Sequence, residues 1–183
     1  MKVTSTDLPG VLIIEPRTFG DARGFFLETF QAERYAEAGV AGPFVQDNLS
    51  RSRRGTLRGL HFQEPRAQGK LVQVNQGSVW DVVVDVRLGS PSFGKWIGLE
   101  LTEESHLQLW VPPGFAHGFC VLSESADFFY KCTEVYVPNC ERSVRWNDPA
   151  LGIRWPISEP RLSAKDAAAP TLAEVQTLPG YRP

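Results

Sequence analysis

The strongest constraint on the fold is a rhythm. From Gly10 to Pro138, short runs rich in Val, Ile, Phe, Tyr and Trp alternate with Gly, Pro, Asn, Asp and Ser. Gly10 opens VLIIEP, GFFLETF follows Arg23, and PFVQDNLS follows Gly42. Then come TLRGLHFQ, KLVQVNQ, SVWDVVVDVR, KWIGLELT, HLQLWVP, AHGFCVLS and ADFFYKCTEVYVP. A pleated, half-buried surface selects such runs, and the residues between them are those that turns require. Residues 79–87 alternate strictly. Trp80, Val82, Val84 and Val86 take one face; Val79, Asp81, Val83, Asp85 and Arg87 take the other. Two carboxylates therefore fall on a half-apolar face.

Helical periodicity is sparse. QAERYAEAG at 31–39 reads as a short helix stopped by Gly39. SAKDAAAPTLAEVQTL reads as one or two more, opened by Ser163 and Thr171, in a helical tail from about residue 160. At least nine strands stand against two or three helices. The chain is predicted to be all-β, an antiparallel sandwich or barrel of the jelly-roll kind with a few short peripheral helices. Its 183 residues fit a single domain, 1–183, and no linker or repeat divides them.

Charge and cysteines narrow the partners. A formal net charge of −2 gives no electrostatic reason to expect nucleic acid or an anionic membrane. The cluster Arg51, Arg53, Arg54 reads as a solvated loop. No apolar run reaches the length of a transmembrane helix, and the N-terminal apolar stretch is too short for a signal-peptide core. Cys120, Cys132 and Cys140 are odd in number and lack CxxC spacing. They read as reduced, packed thiols of a cytoplasmic protein rather than a zinc site or a disulfide framework. GxGxxG, P-loop and GxSxG patterns are all missing, so nicotinamide, P-loop phosphoryl-transfer and hydrolase chemistry lose their usual support.

Two stretches carry candidate chemistry. In LWVPPGFAHGF, a Pro-Pro-Gly turn leads into a strand with His117 near its start. This PxGxxH spacing resembles the second metal motif of cupins, which are small jelly-roll barrels. The first motif would be His61-Phe62-Gln63, with Gln63 where a second histidine ligand belongs, and His106 lies elsewhere. Two histidines do not make a stable metal centre, so a cupin-type barrel (a double-stranded β-helix) is expected without its metal.

Acid–base chemistry remains, and spacing leaves each residue open. His61 suits a general base or a satisfied interior histidine equally well. Lys70, at the start of KLVQV, reads as a solvated strand-edge lysine. Tyr130 and Tyr136 read as packed aromatics with wet hydroxyls. Asp166 fits a capping box with Ser163 and so marks a helix start; nothing in its spacing ties it to His61.

Taken together, FGDARGFFLETF, FVQDNLSRS, LRGLHFQ, AQGKLVQV, VWDVVVDVR, SPSFGKW, LWVPPGFAHGF, YKCTEVY, WNDPALGIRWP and LSAKDAAAP resemble the dTDP-4-dehydrorhamnose 3,5-epimerases. These are metal-free cupins acting on nucleotide-linked sugars, and the likeness runs from about residue 11 to 170. It implies a dTDP-linked 4-keto-6-deoxysugar, dTDP-4-dehydro-6-deoxyglucose, inverted at C3 and C5 through enolates in dTDP-L-rhamnose synthesis, with no cofactor. It implies His61 as base, Asp166 as the carboxylate that orients it, Lys70 as enolate stabiliser and Tyr130 as proton donor. His117 would line the same pocket, with Asp81 as a supporting carboxylate. Arg23, Glu28, Gln46, Asp47, Asn48, Arg58, Glu141 and Lys165 would hold the nucleotide and its diphosphate.

Strict alternation puts Arg58 and His61 on opposite faces. A bulge at Gly59 or a site shared between two chains reconciles them. The shared site is the preferred expectation, because the family is typically homodimeric, with N-terminal strands (within about residues 1–50) joining the partner's sheet. The rival readings are a mono-epimerase or ketoisomerase of the same fold, a metal-dependent cupin oxygenase, and a non-catalytic sugar-nucleotide-binding barrel.

Overall fold

A computed structural model describes residues 1–40 and 42–182; Ala41 and Pro183, which the predicted domain includes, lie outside the described residues. One sheet holds six strands in the order β1 (Lys2–Ser5), β2 (Leu12–Glu15), β10 (Gln108–Val111), β7 (Lys70–Gln76), β12 (Ser125–Cys132), β5 (Gln46–Arg53). The other holds five: β13 (Glu141–Ser143), β6 (Leu57–Gln63), β11 (Phe115–Val121), β8 (Ser78–Asp85), β9 (Trp96–Thr102). Neighbouring strands in both sheets pair antiparallel, and the architecture is the cupin-type jelly roll the sequence predicts. A separate hairpin joins β3 (Thr18–Asp21) to β4 (Gly24–Leu27).

The alternation at 79–87 shows how the layers are built. Val79 and Val83 point between the sheets, where they meet Phe115, Phe119, Leu109 and Phe128. Val82, Val84 and Val86 point the other way and pack with Leu60, Phe62, Leu151 and Leu172 under the C-terminal segment. Both faces of β8 are buried, so its valines serve two cores, each contributing about 1.5–3 kcal/mol of burial per side chain. A third core covers the outer face of the six-stranded sheet. There α1 (Ala32–Glu37) lays Tyr35 on Trp110, Leu71 and Ile14. The Gln31 side chain caps the helix by accepting from Arg34 N–H at 2.6 Å, and Gly39, at φ +90, follows its end.

Three strands lack a sequence signal. β1 and β3 are short and exposed along their length, and β13 has three residues, so none shows a buried alternation. The arginine cluster lies on a strand rather than in a loop: Arg51 and Arg53 end β5, both exposed. The C-terminal tail is mostly irregular. It carries α2 (Ala164–Ala167), capped by Ser163, and a 3-10 turn at Leu172–Glu174 with a complete Thr171–Glu174 capping box. Among the described residues the β3–β4 hairpin makes no ladder with either sheet, and it exposes Phe19, Phe25 and Phe26 at 50%, 63% and 68%.

Candidate active site

A cavity of about 650 Å³ opens between the two sheets. It receives His61 from β6, His117 from β11, Lys70 from β7, Tyr130 from β12 and Asp166 from α2. His61 and Asp166 lie 105 positions apart in sequence, yet His61 Nε2 is 2.6 Å from Asp166 Oδ1. Ser163 caps the helix by accepting from the Asp166 N–H at 3.1 Å. The Asp166 carboxylate does not return to the cap, as a full capping box would require; it goes to His61. Burial raises the Asp166 carboxyl, but the His61 hydrogen bond and charge, with help from Ser163, outweigh it and leave the group below its ordinary value. A carboxylate held ionised against Nε2 favours a proton there and leaves Nδ1 as the basic nitrogen.

Arg58 lines the same cavity as His61. The β6–β11 register explains it. His117 pairs with His61 and Phe119 with Arg58, so two steps on β11 match three on β6. The extra residue is a bulge at Gly59–Leu60, and it turns Arg58 back to the His61 side. The preferred expectation of a site shared between chains is therefore not needed for this residue. Gly59 has φ +127, and a Cβ there would stand 2.6 Å from Gly118 Cα. Only glycine fits so close to β11 in that conformation. Arg58 Nε donates to Ser52 Oγ at 3.0 Å.

Lys70 departs from its sequence reading. It is 8% exposed rather than solvated, and it forms no ion pair among the described residues. Burial pushes its ammonium pKa down, against the opposing pull of Cys132, Glu141 and Asp81. Tyr130 is pushed up by burial and by Cys132, with Arg58 working the other way. Behind the cavity wall Asp81 is fully buried, and His117 Nε2 reaches its two carboxylate oxygens at 3.0 and 2.9 Å. Burial raises the Asp81 carboxyl, opposed by His117 and Lys70. In the sequence, the strict alternation of β8 marked Asp81 and the PxGxxH spacing marked His117, but nothing local joined them as a pair.

The polar rim is built from β5, β13 and α2. Gln46 and Asn48 point into the cavity from β5, and Asp47 between them points out, paired with Lys131 at 2.8 Å. Glu141 accepts from Lys165 Nζ at 2.6 Å and from the Tyr136 hydroxyl at 2.8 Å. Arg23 and Glu28 do not line this cavity. Arg23 sits at the tip of the β3–β4 hairpin with its side chain 90% exposed, and Glu28 pairs with Arg34. Gln63 spends its amide on backbone groups, donating to the carbonyls of Arg66 and Val135 and accepting from Val137 N–H.

The molecule thus gathers groups able to exchange protons around one cavity of a cupin-type jelly roll: a carboxylate-backed histidine, a buried lysine and a tyrosine. Comparison with known proteins narrows the class. A family model described as dTDP-4-dehydrorhamnose 3,5-epimerase matches residues 5–174. The chain is 55% identical over 175 residues to dTDP-4-dehydrorhamnose 3,5-epimerase of Salmonella typhimurium, covering 94% of this chain and 96% of that protein. The Pseudomonas aeruginosa enzyme of the same name is 51% identical over 181 residues, covering 98% and 100%. A crystal structure of the Legionella pneumophila dTDP-6-deoxy-D-glucose-3,5-epimerase, in complex with dTDP-4-keto-L-rhamnose, superposes with a TM-score of 0.97. It is 53% identical and covers 100% of this chain and 99% of that one. The chain belongs to the dTDP-4-dehydrorhamnose 3,5-epimerase family.

Proposed function

We propose that the protein epimerises dTDP-4-dehydro-6-deoxyglucose at C3 and C5 to give dTDP-4-dehydro-L-rhamnose. One observation carries the reading: the 2.6 Å contact of His61 with buried Asp166 in a cavity that also holds Lys70 and Tyr130. The ketone at C4 acidifies the C–H bonds on both sides. His61 takes the proton from carbon, and the electron pair moves into the carbonyl to form an enolate. Lys70 meets the enolate oxygen with a fixed positive charge in a site of low dielectric. Tyr130 returns a proton to the opposite face, which inverts the carbon; proton exchange with solvent then restores the imidazole and the phenol.

The nucleotide and diphosphate fall to Arg58, Lys165, Gln46, Asn48, Glu141 and His117 at the rim and wall of the cavity. Arg23 and Glu28 need a second chain, whereas Asp47, paired with Lys131 on the outward side of β5, is left without a place in this binding set. The exposed β3–β4 hairpin, with its three phenylalanines, has the character of an arm that docks on another copy. In the homodimer we infer, the arm delivers Arg23 and Glu28 to the partner's cavity. The three buried free cysteines suit a protein working in the cytoplasm.

The test is isotope entry. The protein is incubated with dTDP-4-dehydro-6-deoxyglucose in deuterated water and the sugar is followed by NMR. Deuterium is expected at C3 and C5. Label at one carbon would mean a mono-epimerase, and no label would remove the epimerase reading.

A further inference from the structure

The mouth of the cavity is bordered by a strap, residues 133–137, that leaves β12 and enters a 3-10 turn at Pro138–Cys140 before β13. Side-chain amides hold most of it. Gln63 Nε2 donates to the Arg66 carbonyl at 2.9 Å and the Val135 carbonyl at 3.2 Å, and its Oε1 accepts from Val137 N–H at 2.7 Å. Gln68 Nε2 donates to the Glu134 carbonyl at 2.7 Å, and Gln46 Oε1 accepts from Tyr136 N–H at 2.8 Å. Gln63 is the centre of this arrangement. It is 3% exposed, both its N–H groups and its carbonyl are used, and its bonds fall on either side of Tyr136.

What the strap carries has little else to fix it. Tyr136 is 49% exposed, and its hydroxyl donates to Glu141, the residue that also holds Lys165. Glu141 is in turn the register partner of Gln63 across the β13–β6 ladder. Gln63 lies two residues after His61 on the same face of β6. One strand therefore supplies the histidine at the cavity's centre and a clamp for its rim.

We propose that Gln63 is a positioning residue for ligand binding, holding the strap so that Tyr136 and Glu141 stand ready at the cavity mouth. The proposal rests on the nucleotide-sugar reading of the cavity. It predicts a role in affinity that acts through Tyr136, which a merely structural glutamine would not have.

Binding of dTDP is measured by calorimetry for the full-length protein and for Gln63→Glu, Gln63→Ala, Tyr136→Ala and Gln63→Ala/Tyr136→Ala. Gln63→Glu keeps the size and the acceptor for Val137 and removes both donations, so it decides the matter if Gln63→Ala does not fold. Either Gln63 variant is expected to weaken dTDP by about tenfold, the loss of roughly one hydrogen bond's worth of positioning. In the Tyr136→Ala background, Gln63→Ala is expected to add less than about twofold, because coupled residues are non-additive. Amide hydrogen exchange across the strap should quicken in Gln63→Glu. Unchanged dTDP affinity in Gln63→Glu, or fully additive losses in the double variant, would overturn the proposal. A wild-type protein that does not bind dTDP at all would overturn the nucleotide reading, and this proposal with it.

Discussion

His61 and His117 stand opposite one another in the β6–β11 ladder, and each commits its Nε2 to a buried carboxylate. The two pairs differ in electrostatics. Asp166 is held below its ordinary value, whereas burial drives Asp81 above it. An ionised partner stabilises the imidazolium that forms when a histidine takes a proton; a carboxyl pushed toward neutrality does so less. His61 is also the more open of the two, at 28% side-chain exposure against 8% for His117. The arrangement favours His61 as base and His117 as wall.

Asp166→Asn tests that assignment. An amide keeps the shape but cannot compensate the imidazolium or hold the same tautomer. The kcat is expected to fall by about 10²–10⁴, with a much smaller change in KM, as for the orienting carboxylate of a triad. Steady-state kinetics and solvent deuterium uptake should fall together. A loss below about tenfold would mean that Asp166 does not orient the base.

The alkaline side of the pH profile should belong to Lys70. Burial moves Lys70 down from its ordinary 10.5 and Tyr130 up from its ordinary 10.0, so of the two it is the lysine whose titration is shifted toward neutral pH. Once neutral, it no longer offers the enolate a charge, and kcat/KM should decline as pH rises through the lowered lysine value. Asp81 is one of the groups that resist this lowering. Asp81→Asn should therefore move the alkaline limb to still lower pH. A limb that stays put or moves up would detach it from Lys70.

The strands were legible because alternation is a local property. Val79 to Arg87 announced two faces, and the structure buries both. The site was less so, for two physical reasons. Asp166 meets His61 only through the path of the whole C-terminal segment, and its local pattern, a serine cap, is real but incidental to the contact. Lys70 looked solvated because it opens a strand, yet that strand is interior to its sheet, with β10 and β12 on either side. The Arg58–His61 conflict was visible in sequence, and the candidate cause, Gly59, was too. Choosing the bulge over a shared site required the register with β11.

The hairpin arm makes its own prediction. If Arg23 acts in the partner's cavity, Arg23→Ala and His61→Ala damage different chains of a shared site. Each variant alone should be nearly inactive. Mixed and allowed to exchange subunits, they should recover up to about one quarter of wild-type activity, since one cavity in a random half of the dimers is intact. Sedimentation should show a dimer for both. A monomer in solution, or no recovery after demonstrated subunit exchange, would place Arg23 outside the site.

Gly59 offers the sharpest test of how the fold presents the site. A Cβ at this position would lie 2.6 Å from Gly118 Cα and 2.8 Å from the His117 carbonyl oxygen, both backbone atoms that cannot swing away. At φ +127 a side chain adds torsional strain to that overlap. Gly59→Ala is therefore expected to cost about 2–5 kcal/mol, combining strain and overpacking. Gly152→Ala is the control. It sits at φ +60 with nothing within 4 Å of a new Cβ, so only the left-handed conformation counts against it, about 1 kcal/mol. Denaturant midpoints separate the two. Whatever Gly59→Ala protein remains folded should also lose activity beyond its loss of stability, because moving the bulge moves Arg58 relative to His61. Equal losses in the two variants would show that β6 can find another path past β11, and that the bulge does not set the geometry of the site.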